Sequence, residues 1–491
     1  MKKPWAFNRK RDFFLLPCAI LTIIALVLSA SPVAGQTKTV YGANNPAVDV
    51  PAVQSAVDQG GIVILKGTFD FGADAGNHII VPGRQGAAQD VKGKSTVFIY
   101  KNNVTILGVR DAKGNLLTVV KNGMPPFWIG WDGNVTRTQP TEGVDYGVES
   151  FPQDQAGRVQ YRDGYSDPGY TGYTDPQFRY AVPYPNVSAT VQNIYFDSPK
   201  HYGVKATAGQ NIAVIGNVFR DVQFGGLVNP TGLGGATHIA VATGGVGLLY
   251  APFIYPAITG KIDMENNVVE NVGIETIDKT HAGECYGLAA IATNSTVTMK
   301  RGKVRNICRR EDGTFPDVIL TGGLLLIDNY GGSPLVSGNI VRNSLVFGIW
   351  DYVAFAPTPG PTIAGNTFID CGVSAIQSES ANGQPREGVT IDGNFILQDG
   401  QFGDGQACIT GNYLSGALMR WNTFAGSYSG PLVWLNSGSK CKLLINTDLR
   451  HNIPSSAPTY FLDIVSSDNL IVGISGTAVD KGTNNTIILP R

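Results

Sequence analysis

One short phrase, apolar-x-Gly-Asn-x-apolar, recurs through this 491-residue chain and limits its fold more than any other feature. It reads Val214-Ile-Gly-Asn217-Val-Phe219, then Val336-Ser-Gly-Asn339-Ile-Val341, Ile363-Ala-Gly-Asn366-Thr-Phe368 and Ile391-Asp-Gly-Asn394-Phe-Ile396. With Trp for Gly it returns at Trp421-Asn422-Thr-Phe424, and looser copies centre on Ile194, Asn267 and Lys303. Steps between the central positions are 23, 50, 36, 36, 27, 28 and 28 residues. The step of 50 is either two turns or one turn with a long insertion. A second short segment follows within each repeat, often led by Gly: Gly203-Val-Lys-Ala, Gly287-Leu-Ala-Ala, Gly348-Ile-Trp-Asp and Ala375-Ile-Gln-Ser.

These phrases predict about three short β-strands per repeat, separated by Gly/Asn turns. Asn tolerates the left-handed conformation that a sharp corner demands. Recurring every coil, it should stack on its neighbours as a hydrogen-bonded ladder. β-Branched residues dominate and no 3.6-residue apolar stripe persists, which excludes a helical repeat. A propeller needs repeats of ~40–45 residues or more, and the shorter steps exclude it.

Charged residues are only 15 % of the chain, hydrophobics 43 %, and glycine supplies 61 positions. That is too apolar for a disordered chain and too poor in Lys, Glu and Arg for a coiled coil. Five basic residues (Lys2, Lys3, Arg9, Lys10, Arg11) and Asp12 lie at the amino terminus; the remaining 32 basic and 37 acidic side chains leave a net of −5. Such a balance gives no general affinity for nucleic acid, whose binding depends on phosphate neutralisation.

Residues 1–12 are basic, Phe13 to Ala30 are almost wholly apolar, and Val33 and Gly35 offer a small-residue exit. This is the layout of a secretory signal peptide over residues 1–35. It predicts export to the medium, the periplasm or the cell surface, with no stable membrane span after cleavage. An uncleaved anchor is the other reading of the same residues. Five cysteines follow the signal: Cys285, Cys308, Cys371, Cys408 and Cys441. An odd, sparse count argues against a disulfide scaffold, and no spacing suggests zinc. Cys308 and Cys371, two repeats apart and ~10 Å from each other in a stack, are expected as apolar turn fillers.

Val50-Pro-Ala-Val-Gln-Ser-Ala-Val-Asp58 looks like a capping helix, and Gly61-Ile-Val-Ile-Leu-Lys-Gly-Thr-Phe69 like a first-coil strand. With the Gly-Asn repeats, they make the chain resemble the pectin-lyase-like proteins from about Val40 to its end. The resemblance implies an all-β domain over residues 36–491: a single-stranded right-handed parallel β-helix with an N-terminal capping helix. It also implies an exported carbohydrate-active protein acting on a polysaccharide, as a lyase, glycoside hydrolase or epimerase. The alternative is a non-catalytic β-helix that binds glycans or serves as a cell-surface structure. Oligomeric state is not legible, and the signatures of the family's polygalacturonases, mannuronan epimerases and pectate lyases are mostly missing.

Residues 124–184 break the repeat as an aromatic-rich insertion, holding 12 of the chain's 46 aromatics. Trp128, Trp131 and Tyr165 within it, and Trp350 outside it, are candidates for stacking on sugars. The clustered Asp163, Asp167 and Asp175 make Ca2+ conceivable, but no EF-hand-like spacing is present, so no metal ligand and no obligatory cofactor are assigned. Relatives of this fold bind substrate along the sheet of Gly-led strands. Candidates for the chemistry there are Lys205, His238, His281, Glu284, Asp328 and Asp351. Paired carboxylates suit glycoside hydrolysis, whereas Lys and His suit proton abstraction beside a uronate. Lys205, Gln377 and Glu379 fall on alternate, outward positions and, taken singly, read by default as a solvated face. His281, Glu284, Asp328 and Asp351 are expected to converge beside that sheet.

Overall fold

The Gly-Asn phrases stack on one another, and everything else in the molecule follows their register. The computed structural model describes residues 36–72, 83–84, 95–123, 125–130, 144–145, 187–199, 202–206, 210–223, 236–244, 260–274, 283–291, 295–314, 320–327, 329, 331–353, 358–380, 385–399, 407–463, 465–473 and 476–489. The segment expected as a signal peptide, His281, Asp328, Trp131, Tyr165 and the Asp residues considered for calcium lie outside the described residues. Among those described, three all-parallel sheets of 14, 11 and 12 strands wind through Thr37–Arg491 as a parallel β-helix. Each coil supplies one strand to each sheet in turn, with the third sheet closing the coil. No described helix is long and apolar enough to cross a membrane.

Alternation along each strand sends one face into the coil, and parallel pairing stacks like on like. In the first sheet the inward column runs Val191, Val214, Met264, Met299, Val336, Ile363, Ile391, Met419, Leu443 and Ile471. In the second, Phe196 and Phe219 stack with centroids 4.7 Å apart and planes 6° from parallel. The 50-residue step is one coil carrying a long insertion, because Asn211–Ile215 pairs directly with Lys261–Glu265. At the amino-terminal end the helix Pro46–Val57 buries Val50, Val53, Ala56 and Val57 in the same core. Its buried Asp49 accepts backbone N–H bonds from Ala43, Asn45 and Asp70.

Asn217, Asn267, Asn339, Asn366, Asn394, Asn422 and Asn446 occupy the corner between the first and second sheets, all buried. Asn366 is typical. Its Nδ2 donates to the Val336 carbonyl at 3.0 Å and to Asn394 Oδ1 at 3.0 Å, while its Oδ1 accepts from both the backbone N and Nδ2 of Asn339. The left-handed residue of each corner is the one before the Asn: Gly216, Asn266, Arg301, Gly338, Gly365, Gly393, Trp421 and Ile445. The phrase therefore divides the labour, with Gly making the turn and Asn satisfying the buried backbone. In the loosest copy the ladder position belongs to Gly302, whose N–H donates to Asn339 Oδ1, and Lys303 is one residue further on.

A second ladder runs four residues later in each coil. Asn271 donates to Asp221, Asn306 to Asn271, and Asn343 to Asn306, at 2.7–2.8 Å, and all four have φ between 55° and 59°. These side chains hold the left-handed bend at the end of the second sheet.

The cysteines correct the expectation for Cys308. It is joined to Cys285 as a disulfide, with Cα atoms 6.0 Å apart. Its partner comes from the third-sheet strand Gly283–Ile291, which closes the preceding coil, a relation invisible when only stacked equivalents are compared. Cys371, Cys408 and Cys441 are buried free thiols.

Two measurements check this account. Asn366→Leu orphans the Asn339 backbone N–H and breaks both ladder contacts, so it should destabilise by about 2–4 kcal/mol in urea unfolding. Burial pushes the Cys371 and Cys408 thiols up to about 12 and Cys441 to about 11. Thiolate is the reactive form. All three should resist a neutral thiol reagent at pH 8 in the folded protein and label only after denaturation; labelling of the native state would contradict their enclosure.

Candidate functional site on the outward face of the third sheet

The Gly-led segments are strands of the third sheet, and the Gly is a bulge shared from coil to coil. Tyr202 pairs with Ile239, Tyr286 with Gly322 and Phe347 with Ser374; pairing then skips one residue and resumes at Val204, Val241, Leu288, Leu324, Ile349 and Ile376. The skipped positions are Gly203, Ala240, Gly287, Gly323, Gly348 and Ala375. A Cβ on Gly348 would lie 2.5 Å from the Ala375 carbonyl oxygen and 2.6 Å from the Phe368 ring. Close approach to the core at this column is what demands small residues. After the bulge, Leu288, Leu324, Ile349, Ile376, Ile409 and Val433 point into the core.

The next residue in every coil faces away from the core. This outward file runs Phe98, Trp128 and Lys205, then Ala289, Leu325, Trp350, Gln377, Thr410, Trp434 and Phe461, the coil between Lys205 and Ala289 being described in register alone. A second file two residues on carries Ile327, Tyr352, Glu379, Asn412 and Asn436. The face changes character along its length. Its middle is an apolar cluster outside the coil, where Tyr202, Tyr286, Ala289, Leu325, Phe347 and Trp350 are all buried. Its amino-terminal part holds Lys205, only 6 % exposed, with Nζ 4.5 Å from the Trp128 ring centroid and 4.8 Å from that of Tyr202.

Towards the carboxyl end the face turns polar around Glu379. One carboxylate oxygen accepts from Trp350 Nε1 at 2.7 Å. The other accepts from Gln377 Nε2 at 2.9 Å and Asn412 Nδ2 at 2.8 Å. Aromatic rings border it: Trp350 lies 4.9 Å from Tyr352, and Trp434 packs edge-on against Phe461 at 5.8 Å. The face thus joins hydrogen-bonding groups to ring surfaces, the combination that recognises sugars. Among the described residues no group of three His, Cys, Asp or Glu is placed to hold a metal ion.

The sequence candidates separate clearly. Lys205, Trp128 and Trp350 do share the outward file, but Trp128 is 1 % exposed and has an ammonium over its ring. A ring so enclosed, lying on the strand Phe127–Ile129 and not on a free loop, has no face to offer a sugar. Lys205 and Gln377 are buried, not solvated. Asp351, expected in the groove, is enclosed at a corner of the coil and 1 % exposed. Arg386 Nη2 meets its Oδ1 at 2.7 Å, and Ser378 Oγ and Arg386 Nε bind its Oδ2. Trp350 and Asp351 are adjacent, so the pleat sends them to opposite sides. His238 and Glu284 are on the strands Ala236–Gly244 and Gly283–Ile291, where His238 pairs with Cys285 and Glu284 with Thr237 and Leu320. Sequence reading missed Asn412, Thr410 and Trp434. Their signal was present, since Ile376-Gln-Ser-Glu379, Ile409-Thr-Gly-Asn412 and Val433-Trp-Leu-Asn436 are successive copies of one pattern.

No protein-family model matches the chain, and neither does any curated protein. Similar solved structures include the catalytic domain of Agl-KA, 14 % identical, covering 93 % of this chain and 69 % of that one with a TM-score of 0.42. Another is the A-module of the Azotobacter vinelandii mannuronan C-5 epimerase AlgE6, 15 % identical, covering 92 % of this chain and 96 % of that one at 0.33. A third is the DFA-IIIase of Arthrobacter chlorophenolicus A6 without its lid, 11 % identical, covering 92 % and 99 % at 0.24. Likeness at this level does not say what this chain binds.

The Asp351–Arg386 pair makes a prediction of its own. Asp351→Asn leaves an enclosed guanidinium without its counter-charge and should lower the unfolding free energy by about 3–5 kcal/mol. Urea denaturation of the variant measures this; a loss under ~1 kcal/mol would mean that Arg386 has other compensation.

Proposed function

We propose that this is an exported protein that holds a polysaccharide along the outward face of the third sheet and acts on it there. The observation that carries the reading is Glu379, a carboxylate fixed by three side-chain donors beside the paired rings of Trp350 and Tyr352. Parallel stacking repeats the face every ~4.8 Å, which suits a ligand that is itself a linear repeat. The basic and apolar amino terminus supports export. Lyase, hydrolase and epimerase chemistry all need a placed acid or base, and Glu379 is the described carboxylate on this face that would take that part. Asp351 serves the coil instead, through its ion pair with Arg386.

A second reading, glycan binding without turnover, is favoured by the same carboxylate. Both of its oxygens are already engaged, an arrangement that positions a ligand as well as it moves a proton.

The test is a screen of the purified protein against uronate-containing and neutral polysaccharides. Ultraviolet absorbance reports unsaturated products, reducing ends report hydrolysis, and affinity electrophoresis reports binding. Glu379→Gln should cut turnover or binding at least about tenfold, the loss of one charge-assisted contact, and leave the melting temperature within a few degrees. Full turnover and full binding in that variant would remove Glu379 from the site.

A further inference from the structure

Two polar atoms on the third-sheet face are buried without a hydrogen-bond partner: Gln377 Oε1 and Trp434 Nε1. Native interiors rarely leave such atoms unsatisfied, because each costs roughly 1–3 kcal/mol. Both belong to the same outward file, Gln377 pairing with Thr410 and Thr410 with Trp434. They therefore stand two coils apart, about 10 Å along the face at the ordinary interstrand spacing. Thr410, between them, is already engaged with Ser374 Oγ at 2.9 Å. Gln377 is only 4 % exposed, and its amide is fixed by the bond from Nε2 to Glu379, which settles the orientation of Oε1.

The orphans are one acceptor and one donor. A hydroxyl group donates and accepts at once, so a chain bearing hydroxyls at intervals satisfies both without carrying charge. A carboxylate only accepts and could serve Trp434 Nε1 alone. It would also bring a negative charge towards Glu379, the carboxylate bonded directly to Gln377. Of the described cations at this end, Arg386 is paired with Asp351 and Arg450 with Asp448, and Lys481 sits over the Phe461 ring at 5.0 Å, that ring being one coil beyond Trp434 and three beyond Glu379. Asn412 and Asn436, stacked beside this file, extend the neutral polar surface.

We infer that the stretch from Gln377 to Trp434 is a subsite for neutral, hydroxyl-rich sugar residues and selects against uronates. The inference rests on the polysaccharide reading above and adds the substrate class to it. A uronate carries ring hydroxyls too, so the discrimination lies in its carboxylate, which would bring a second negative charge beside Glu379 where a neutral sugar brings none.

The experiment measures affinity by isothermal titration with neutral hexasaccharides of glucan, mannan and galactan, and with hexa-uronates of galacturonate and mannuronate. The unmodified protein should bind at least one neutral hexasaccharide about tenfold or more tightly than either uronate. Trp434→Phe removes the N–H with the pyrrole part of the indole and keeps a smaller aromatic ring, and Gln377→Met removes the acceptor together with the Nε2 donor to Glu379. Each should weaken neutral binding about tenfold, the value of one hydrogen bond to a buried group, with thermal unfolding confirming that the variants fold. Tighter binding of a uronate, or neutral binding untouched by both variants in a folded protein, overturns the subsite and leaves the polysaccharide reading standing. No binding of any oligosaccharide or parent polysaccharide overturns both.

Discussion

The molecule depends on a hydrogen bond repeated along one buried corner. At the turn between the first and second sheets the chain must reverse direction inside its own core, where water is not available to the backbone. Each ladder Asn answers this as Asn366 does, by binding a carbonyl of the preceding coil and the Asn side chains and a backbone N–H of its neighbours. A single such bond is worth only about 1 kcal/mol. Repetition turns it into a register lock, because a slip by one residue in any coil would place an apolar side chain where the amide must be and turn the strand inside out.

Register, once locked, decides which residues become neighbours. Phe196 and Phe219 lie 23 positions apart in sequence and stack ring on ring. Gln377 and Trp434, 57 positions apart, come to lie on one outward file. Insertions leave the lock intact, as the 50-residue coil shows by pairing Ile215 directly with Glu265 across its extra length. Such a scaffold carries long loops at its turns without losing the alignment of its sheets, which is why a groove can be kept straight while its borders vary.

The same constraint separates two carboxylates that composition alone treats alike. Asp351 falls on the inward parity of its strand, and burial there is tolerated only because Arg386 and Ser378 surround it. Glu379, one coil later and on the outward parity, meets two amides and an indole, none of them charged. An enclosed ion pair holds structure together and is costly to break. A carboxylate bound by neutral donors at a surface remains able to engage a ligand. Asp351 pairs with Ser378 and Glu379 with Tyr352, one position apart in register, so the alternation of the pleat places the two on opposite sides.

The sequence by itself determined the architecture, because the Asn corner and the alternation of apolar residues are local and repeat. It located the corner Asn residues and the Gly-led strands. It also held the second ladder, four residues after the first, in a form that could have been read. What it could not fix was partnership. Gln377 and Glu379 were read as outward, but in place of a solvated face the fold gathers Trp350, Gln377 and Asn412 from three coils onto Glu379. Asp351 was expected in the groove and is enclosed instead, because Arg386, distant in sequence, folds back to pair with it. The Cys285–Cys308 bond was hidden for a related reason. It joins the third-sheet strand that closes one coil to the end of the second-sheet strand of the next, whereas the repeat reveals only what is equivalent between coils.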